Sequence, residues 1–157
     1  LKFHFKTLEK KFKNFMKKTV ICDIDGTIAD NKHRQHYMEG KKDWDGFFSE
    51  MHLDKPIYQI INKIKILKDS GNEIVFLTGR PEKYRLITEN WLKKYFSFEI
   101  NLLMRKDNDR RNKLEIKKEL FIQNFKSSEI ECCFENDLEL LELWEEIGLS
   151  VEIVKNH

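Results

Sequence analysis

Residues 19–30 read Thr-Val-Ile-Cys-Asp-Ile-Asp-Gly-Thr-Ile-Ala-Asp, and the break in the middle of this stretch decides the fold. The apolar run Val20-Ile21-Cys22 stops abruptly at two carboxylates, Asp23 and Asp25, with Gly26-Thr27 just behind. A β-branched run bounded by turn residues reads as a buried strand. Open α/β sheets carry their ligands beyond the carboxyl ends of such strands, and Asp23 falls at that end. Two acids one residue apart on a strand point the same way and repel. A divalent metal ion held together with a phosphate group offsets that repulsion. The competing structural reading is an acidic strand-to-turn connection in which Gly26 supplies a positive φ.

Outward from this stretch, further strand signals come at Ile74–Leu77, Ile100–Met104, Ile130–Phe134 and Val151–Val154. Helical patterns lie between the later ones, at Pro56 to Lys68, Pro81 to Tyr95, Leu114 to Phe125 and Leu138 to Ile147. Pro56 and Pro81 suit the first turn of a helix, where a missing N–H is harmless. Ser70-Gly71-Asn72 suits a helix C-cap. Strands alternating with helices predict an α/β, doubly wound, Rossmann-like fold of three layers, with a central parallel sheet of about five strands. One segment breaks the alternation. Residues 30–55 are polar, with helical hints from Trp44 to Met51 and no clear strand. This insertion starts at the turn after Asp25, so it lies over or beside the ligand end of the sheet. It is too short for an independent cap domain, which predicts a pocket open on at least one side.

A chain of 157 residues with 40% hydrophobic content is one domain with a real core. No apolar run approaches the length of a membrane span, and no signal-peptide core is present. Cys22, Cys132 and Cys133 all fall in strand-like runs, which reads as thiols used for packing in a reducing, cytoplasmic setting. Cys132 and Cys133 do not make a metal site, because adjacent strand residues face opposite ways. The net charge of +2 conceals an asymmetry: residues 1–18 hold seven lysines and one glutamate, leaving 22 basic against 26 acidic residues in the body. Residues 1–18 place Phe5, Leu8, Phe12 and Phe15 at helical spacing, which reads as a basic leader without a catalytic role: an amphipathic helix for a membrane surface or nucleic acid, a helix packed on the domain, or a segment foreign to the natural protein. The α/β body is then residues 19–157, with the short cap insertion at 30–55.

Four groups in chain order complete a phosphate-handling site. Asp23 is the candidate nucleophile and Asp25 the candidate general acid/base, because an alkoxide leaves poorly without a proton. Thr78-Gly79-Arg80 follows a strand, and the Thr78 hydroxyl and a helix N-terminus suit phosphoryl oxygens. Lys117 supplies a cation against the carboxylates and phosphate, with Lys113 one helical turn earlier as its rival. Phe134-Glu135-Asn136-Asp137 ends the fourth strand with hard oxygen donors for Mg²⁺: Glu135 first, Asn136 or Asp137 beyond it, alongside Asp23 and the Asp25 carbonyl. Asn136 or Asp137 also suits a helix N-cap. Residues 105–118 hold seven basic residues, including Arg105, Arg110 and Arg111, against three acids, a basic rim on an acidic body.

Asp23-Ile24-Asp25-Gly26-Thr27 resembles motif I of the haloacid dehalogenase superfamily, and the order of the later elements resembles the whole core of that family. Within it, the chain is similar to the 3′-phosphatase domain of bacteriophage polynucleotide kinase-phosphatase. The resemblance rests on Arg34, Asp43-Trp44, Pro56, Gly79-Arg80, the run Lys117 to Phe121, and Leu143-Trp144-Glu145-Glu146-Ile147-Gly148. It implies a Mg²⁺-dependent phosphomonoesterase working through an aspartyl-phosphate on nucleic-acid 3′ ends, with Arg34 and Arg80 as substrate-phosphate contacts. This chain departs from that domain at Lys113 and at Glu135-Asn136. It has no P-loop and so no kinase half. A nucleotidase or small-metabolite phosphatase on the same core is the alternative, and a non-catalytic phosphate-binding module is the alternative of another class.

Overall fold

The computed structural model describes residues 6–8, 12 and 17–155. Of the leader, residues 6–8 and 12 are helical, with Leu8 and Phe12 exposed; the rest of that expectation, including Phe5 and Phe15, lies outside the described residues. Among the described residues no helix is long and apolar enough to cross a membrane.

Among the described residues seven strands are present: β1 (Thr19–Cys22), β2 (Ala29–Asp30), β3 (Lys55–Pro56), β4 (Glu73–Pro81), β5 (Leu102–Arg105), β6 (Ile130–Glu135) and β7 (Val151–Ile153). Five of them form one sheet in the order β5-β4-β1-β6-β7, and every pairing in it is parallel. β1 is therefore central and buried on both faces, which is why its sequence is continuously apolar. The helices are α1 (Trp44–Ser49), α2 (Tyr58–Asp69), α3 (Arg85–Tyr95), α4 (Lys113–Asn124) and α5 (Leu138–Glu146).

Side-chain alternation sorts the core into two halves. Val20, Cys22, Phe76 and Met104 face Ile60, Ile61 and Ile64 of α2 and Trp91 and Leu92 of α3. Ile21, Leu77 and Leu103 face Phe121 of α4 and Leu140 and Trp144 of α5. The three layers predicted from the sequence are present. Cys132 packs with the first half and Cys133 with the second, and all three thiols are free. The predicted cap of α2 is also present. Gly71, at φ 102°, donates to the Lys68 carbonyl and Asn72 to that of Leu67, a turn that favours glycine.

Three local expectations are corrected. Pro56 lies in β3 and Pro81 closes β4, while α2 starts at Tyr58 and α3 at Arg85. A missing N–H is as harmless at an edge or strand end as in a first helical turn, so proline alone does not distinguish them. The 30–55 segment is not strandless: Ala29–Asp30 and Lys55–Pro56 pair antiparallel and close it at its base. Thr78-Gly79-Arg80 belongs to β4 rather than to a turn before a helix. There the register slips, because Leu77 pairs with Leu103 but Pro81 with Arg105, setting four steps of β4 against two of β5. Such bulges re-aim side chains, here at the ligand end of the sheet.

Candidate active site

Asp23 follows the last residue of β1, its backbone N–H still donating to the Phe134 carbonyl of β6 at 3.0 Å. It continues the face of Ile21, towards α4. Its Oδ1 accepts from Lys117 Nζ at 2.6 Å and its Oδ2 from the Thr27 hydroxyl at 2.8 Å. Lys117 also donates to Glu135 Oε2 at 3.0 Å, so one ammonium sits between two carboxylates. Burial, reinforced by the Glu135 charge, pushes the Asp23 carboxyl up to about 7 even with Lys117 opposing. Burial alone would lower Lys117, but the Asp23 and Glu135 carboxylates more than reverse that and keep it charged.

Asp25 is held differently. The turn Asp25-Gly26-Thr27-Ile28 closes on the Ile24 carbonyl, which accepts from Thr27, Ile28 and Ala29, with Gly26 at φ 79°. From that turn Asp25 meets two arginines. Arg80 presents Nε to Oδ2 at 2.9 Å and Nη2 to Oδ1 at 2.8 Å, and Arg34 Nη2 also donates to Oδ1. Burial would raise this carboxyl, but the Arg80 and Arg34 guanidiniums hold it well below the usual carboxylate range. The repulsion expected between Asp23 and Asp25 is thus relieved within the protein, by a separate cation partner for each.

The two arginines share a second acid. Arg34 Nε and Nη2 donate to Asp54 at 2.7 and 2.6 Å, and Arg80 Nη2 reaches it at 3.1 Å. The Arg34 guanidinium lies 4.2 Å from the Phe47 ring centroid and donates to the Phe47 carbonyl, while Trp91 Nε1 fixes the Asp54 carbonyl at 2.9 Å. Asp25, Arg34, Asp54 and Arg80 form a charge-balanced buried network, the condition under which such groups tolerate loss of water. It ties the insertion to the sheet. Arg34 and Arg80 have no exposed side-chain surface, and their forks are filled by Asp25 and Asp54. The Asp25 side chain itself remains 23% exposed.

Thr78 is fully buried next to this network, its Oγ1 accepting from the Arg80 N–H at 3.2 Å, and α3 starts too far along to lend it a helix N-terminus. Of the rival lysines, Lys117 is in the site, whereas Lys113 pairs with Asp137 at its margin. Glu135 spends Oε2 on Lys117 and Oε1 on the backbone N–H groups of Asn136 and Asp137. Asp137 caps α5, accepting from Glu139 N–H at 3.0 Å. The Asn136 amide lies 3.1 Å from the Asp25 carbonyl oxygen and 3.3 Å from Asp23 Oδ2. With its nitrogen turned inward it donates to those oxygens. With its oxygen inward, the amide would add a hard oxygen donor beside the Asp25 carbonyl and Asp23 Oδ2, the donor type that Mg²⁺ takes. Among the described residues no three His, Cys, Asp or Glu side chains form a metal-holding group.

Asp54 and Thr27 escaped the sequence reading as site residues. Thr27 lies within the decisive stretch, and its 2.8 Å bond to Asp23 follows from the tight turn at Gly26. No sequence signal marks Asp54, because Arg34 and Arg80 read in the sequence as contacts to a substrate phosphate and not as buried cations needing a carboxylate.

A carboxylate at the end of a central parallel strand, a buried lysine on it and a clamped second carboxylate beside it define a phosphatase domain of the haloacid dehalogenase superfamily, a phosphoric monoester hydrolase. Residues 17–157 match the polynucleotide kinase PNKP phosphatase domain, and the chain belongs to that family. A solved Pnkp1/Rnl/Hen1 RNA repair complex contains a chain 30% identical, with a TM-score of 0.74 over 88% of this chain and 42% of that one. A protein of Autographa californica nuclear polyhedrosis virus, provisionally described as a bifunctional polynucleotide kinase/RNA ligase, is 28% identical over 132 residues, 73% of this chain and 18% of that protein. The chain thus spans less than half the length of these relatives. The class C acid phosphatase of Bacillus anthracis, 18% identical with a TM-score of 0.61 over 90% of this chain and 67% of that one, shares the fold.

Proposed function

We propose that this domain removes 3′-phosphates from nucleic-acid ends through an aspartyl-phosphate on Asp23. The observation that carries the reading is the division of labour between the two acids: Asp23 on Lys117 and Thr27, Asp25 fixed by two guanidiniums with part of its surface open. Asp23 Oδ attacks phosphorus while the bond to the leaving oxygen breaks, and Asp25 gives that oxygen its proton. Water then attacks phosphorus, Asp25 takes the proton from it, and the bond to Asp23 breaks to release inorganic phosphate. The guanidiniums keep Asp25 ionised in the resting site. A phosphate dianion beside it favours uptake of the proton it must deliver. Lys117 and the Thr78 hydroxyl stabilise charge on the phosphoryl oxygens.

The oxygens of Asp23, the Asp25 carbonyl and Asn136 would hold Mg²⁺, which would supply Lewis-acid stabilisation of the phosphoryl group. Asn136 thereby takes the place that sequence reasoning gave first to Glu135, whose oxygens serve Lys117 and the backbone. Asp137 stays a helix cap. The 3′ end as substrate is supported by the family match, the exposed face of Asp25 and the basic loop after β5. The test sets a 3′-phosphorylated oligonucleotide beside its 5′-phosphorylated isomer and a sugar phosphate, with and without Mg²⁺. Release of phosphate from the 3′ end alone, abolished by chelation, is expected. Equal rates on the sugar phosphate would reject the nucleic-acid substrate.

A further inference from the structure

Three arginines surround the ligand end of the sheet, and two have their bidentate edges filled: Arg34 by Asp54 at 2.7 and 2.6 Å, Arg80 by Asp25 at 2.9 and 2.8 Å. Arg105 differs. It ends β5 on the same face as Leu103, the α4 side on which Asp23 and Lys117 meet. Its Nη1 donates to the carbonyl oxygens of Asp109 at 3.2 Å and Arg111 at 3.0 Å, anchoring the guanidinium from one side. Its Nε is buried without a hydrogen-bond partner, and no ion pair joins Arg105 to a carboxylate among the described residues. Nη2 lies 3.6 Å from where a Cβ on Gly79 would stand, so the guanidinium lies alongside the bare α-carbon next to Thr78.

Nε and Nη2 form one edge of a guanidinium, the edge that Arg34 and Arg80 turn to their carboxylates. A buried donor with nothing to bond is costly, and an arginine held from behind by two carbonyls is pre-organised to take an anion on its other edge. Burial sets Arg105 below the usual arginine range, whereas the acids bonded to Arg34 hold that residue above it. Lys106 and Arg110, both exposed, lie on the same loop, with Asp107 and Asp109 between them.

We propose that Arg105 binds a substrate phosphate through its Nε–Nη2 edge, across Gly79 from the Asp23–Lys117 pair. The proposal rests on the phosphoester reading above and gives Arg105 the role that sequence assigned to Arg34 and Arg80. It is tested with Arg105→Gln, which keeps a donor for the loop carbonyls, and with Arg105→Lys, which keeps the charge and loses the fork. Both are checked for thermal melting, then for KM and kcat on a 3′-phosphorylated oligonucleotide and a nucleoside 3′-monophosphate, and for affinity towards inorganic phosphate. With melting little changed, KM should rise about 10-fold or more in the Gln variant and less in the Lys variant. A rise on both substrates places the reacting phosphoryl group in the fork; a rise on the oligonucleotide alone places the adjoining phosphodiester there. Folded variants with unchanged KM on both and unchanged phosphate affinity would overturn the proposal. Should the unmutated protein hydrolyse neither ester, the phosphatase reading fails, and weaker binding of inorganic phosphate by the variants still decides the role of Arg105.

Discussion

Asp54 is 3% exposed and accepts from both arginines that hold Asp25, so it acts on the acid it never touches. Removing its carboxylate leaves two guanidiniums sharing one acid in a water-poor site. Asp54→Ala should therefore lose about 3–5 kcal/mol of stability, the usual cost of stripping one partner from a buried charge pair, measured by urea unfolding. Activity should fall with it, because Arg34 and Arg80 lose the anchor that sets their direction. The same network revises the expectation for Arg34. With its fork spent on Asp54 and Asp25, Arg34→Ala should depress turnover of a small ester and of an oligonucleotide by similar factors. A loss confined to oligonucleotides would show that Arg34 reaches the substrate after all. The sequence made Asp23, Asp25 and Thr78 visible because each follows the end of a strand-like run, whereas the preference for Lys117 over Lys113 rests on the family resemblance. It did not show how the arginine charges are divided, since that depends on which forks close on protein carboxylates once the insertion folds back.

At the level of elements, the five parallel strands and four of the helices were legible from periodicity and from the runs of β-branched residues that end in turn signals. The insertion was not, because short elements carry little periodicity. Its 3₁₀ segments, Lys32–Met38 and Met51–Leu53, and the six-residue α1 are held by a local apolar cluster of Phe47, Phe48 and Met51 with Tyr37 and Tyr84 packed against it. Close approach fixes the geometry at Gly46, where a Cβ would stand 2.5 Å from the Tyr37 ring and 2.6 Å from Asp43 Oδ2. Asp43 caps α1 through the Gly46 N–H, and the Tyr37 hydroxyl donates to Glu50 at 2.9 Å. Gly46→Ala must displace both. It should cost about 1–3 kcal/mol, as overpacking does, and lower kcat through the Phe47–Arg34 contact while the main sheet stays intact. Hydrogen exchange should show faster opening in residues 37–50 and unchanged protection in β1 and β4. The bulge in β4 escaped for a related reason: Thr78-Gly79-Arg80 reads as a turn, and only pairing with β5 shows that the strand runs on to Pro81.

For the whole molecule, the two core halves meet along β1, and the thiols report on both. Burial is the main cause that pushes Cys133 up to about 12 and Cys132 up to about 11, and it raises Cys22 as well. Alkylation needs the thiolate, whose fraction falls tenfold for each unit that the pKa stands above the solution pH. The folded protein should therefore resist iodoacetamide at pH 8 and take up three labels only in denaturant, as counted by mass spectrometry. Rapid labelling of the native protein would mean that the sheet opens around β1 or β6. The whole fold brings one carboxylate, Asp23, to the end of its central strand with a lysine from across the layer on it, and the central claim is that this carboxylate becomes phosphorylated. The most direct measurement is a rapid acid quench after mixing the protein, Mg²⁺ and an oligonucleotide bearing a radiolabelled 3′-phosphate. The account predicts a burst of label on the peptide that contains Asp23, removable by hydroxylamine as an acyl-phosphate is, and absent from a folded Asp23→Asn variant that no longer turns over. Turnover without labelled protein, or undiminished turnover by Asp23→Asn, would contradict it.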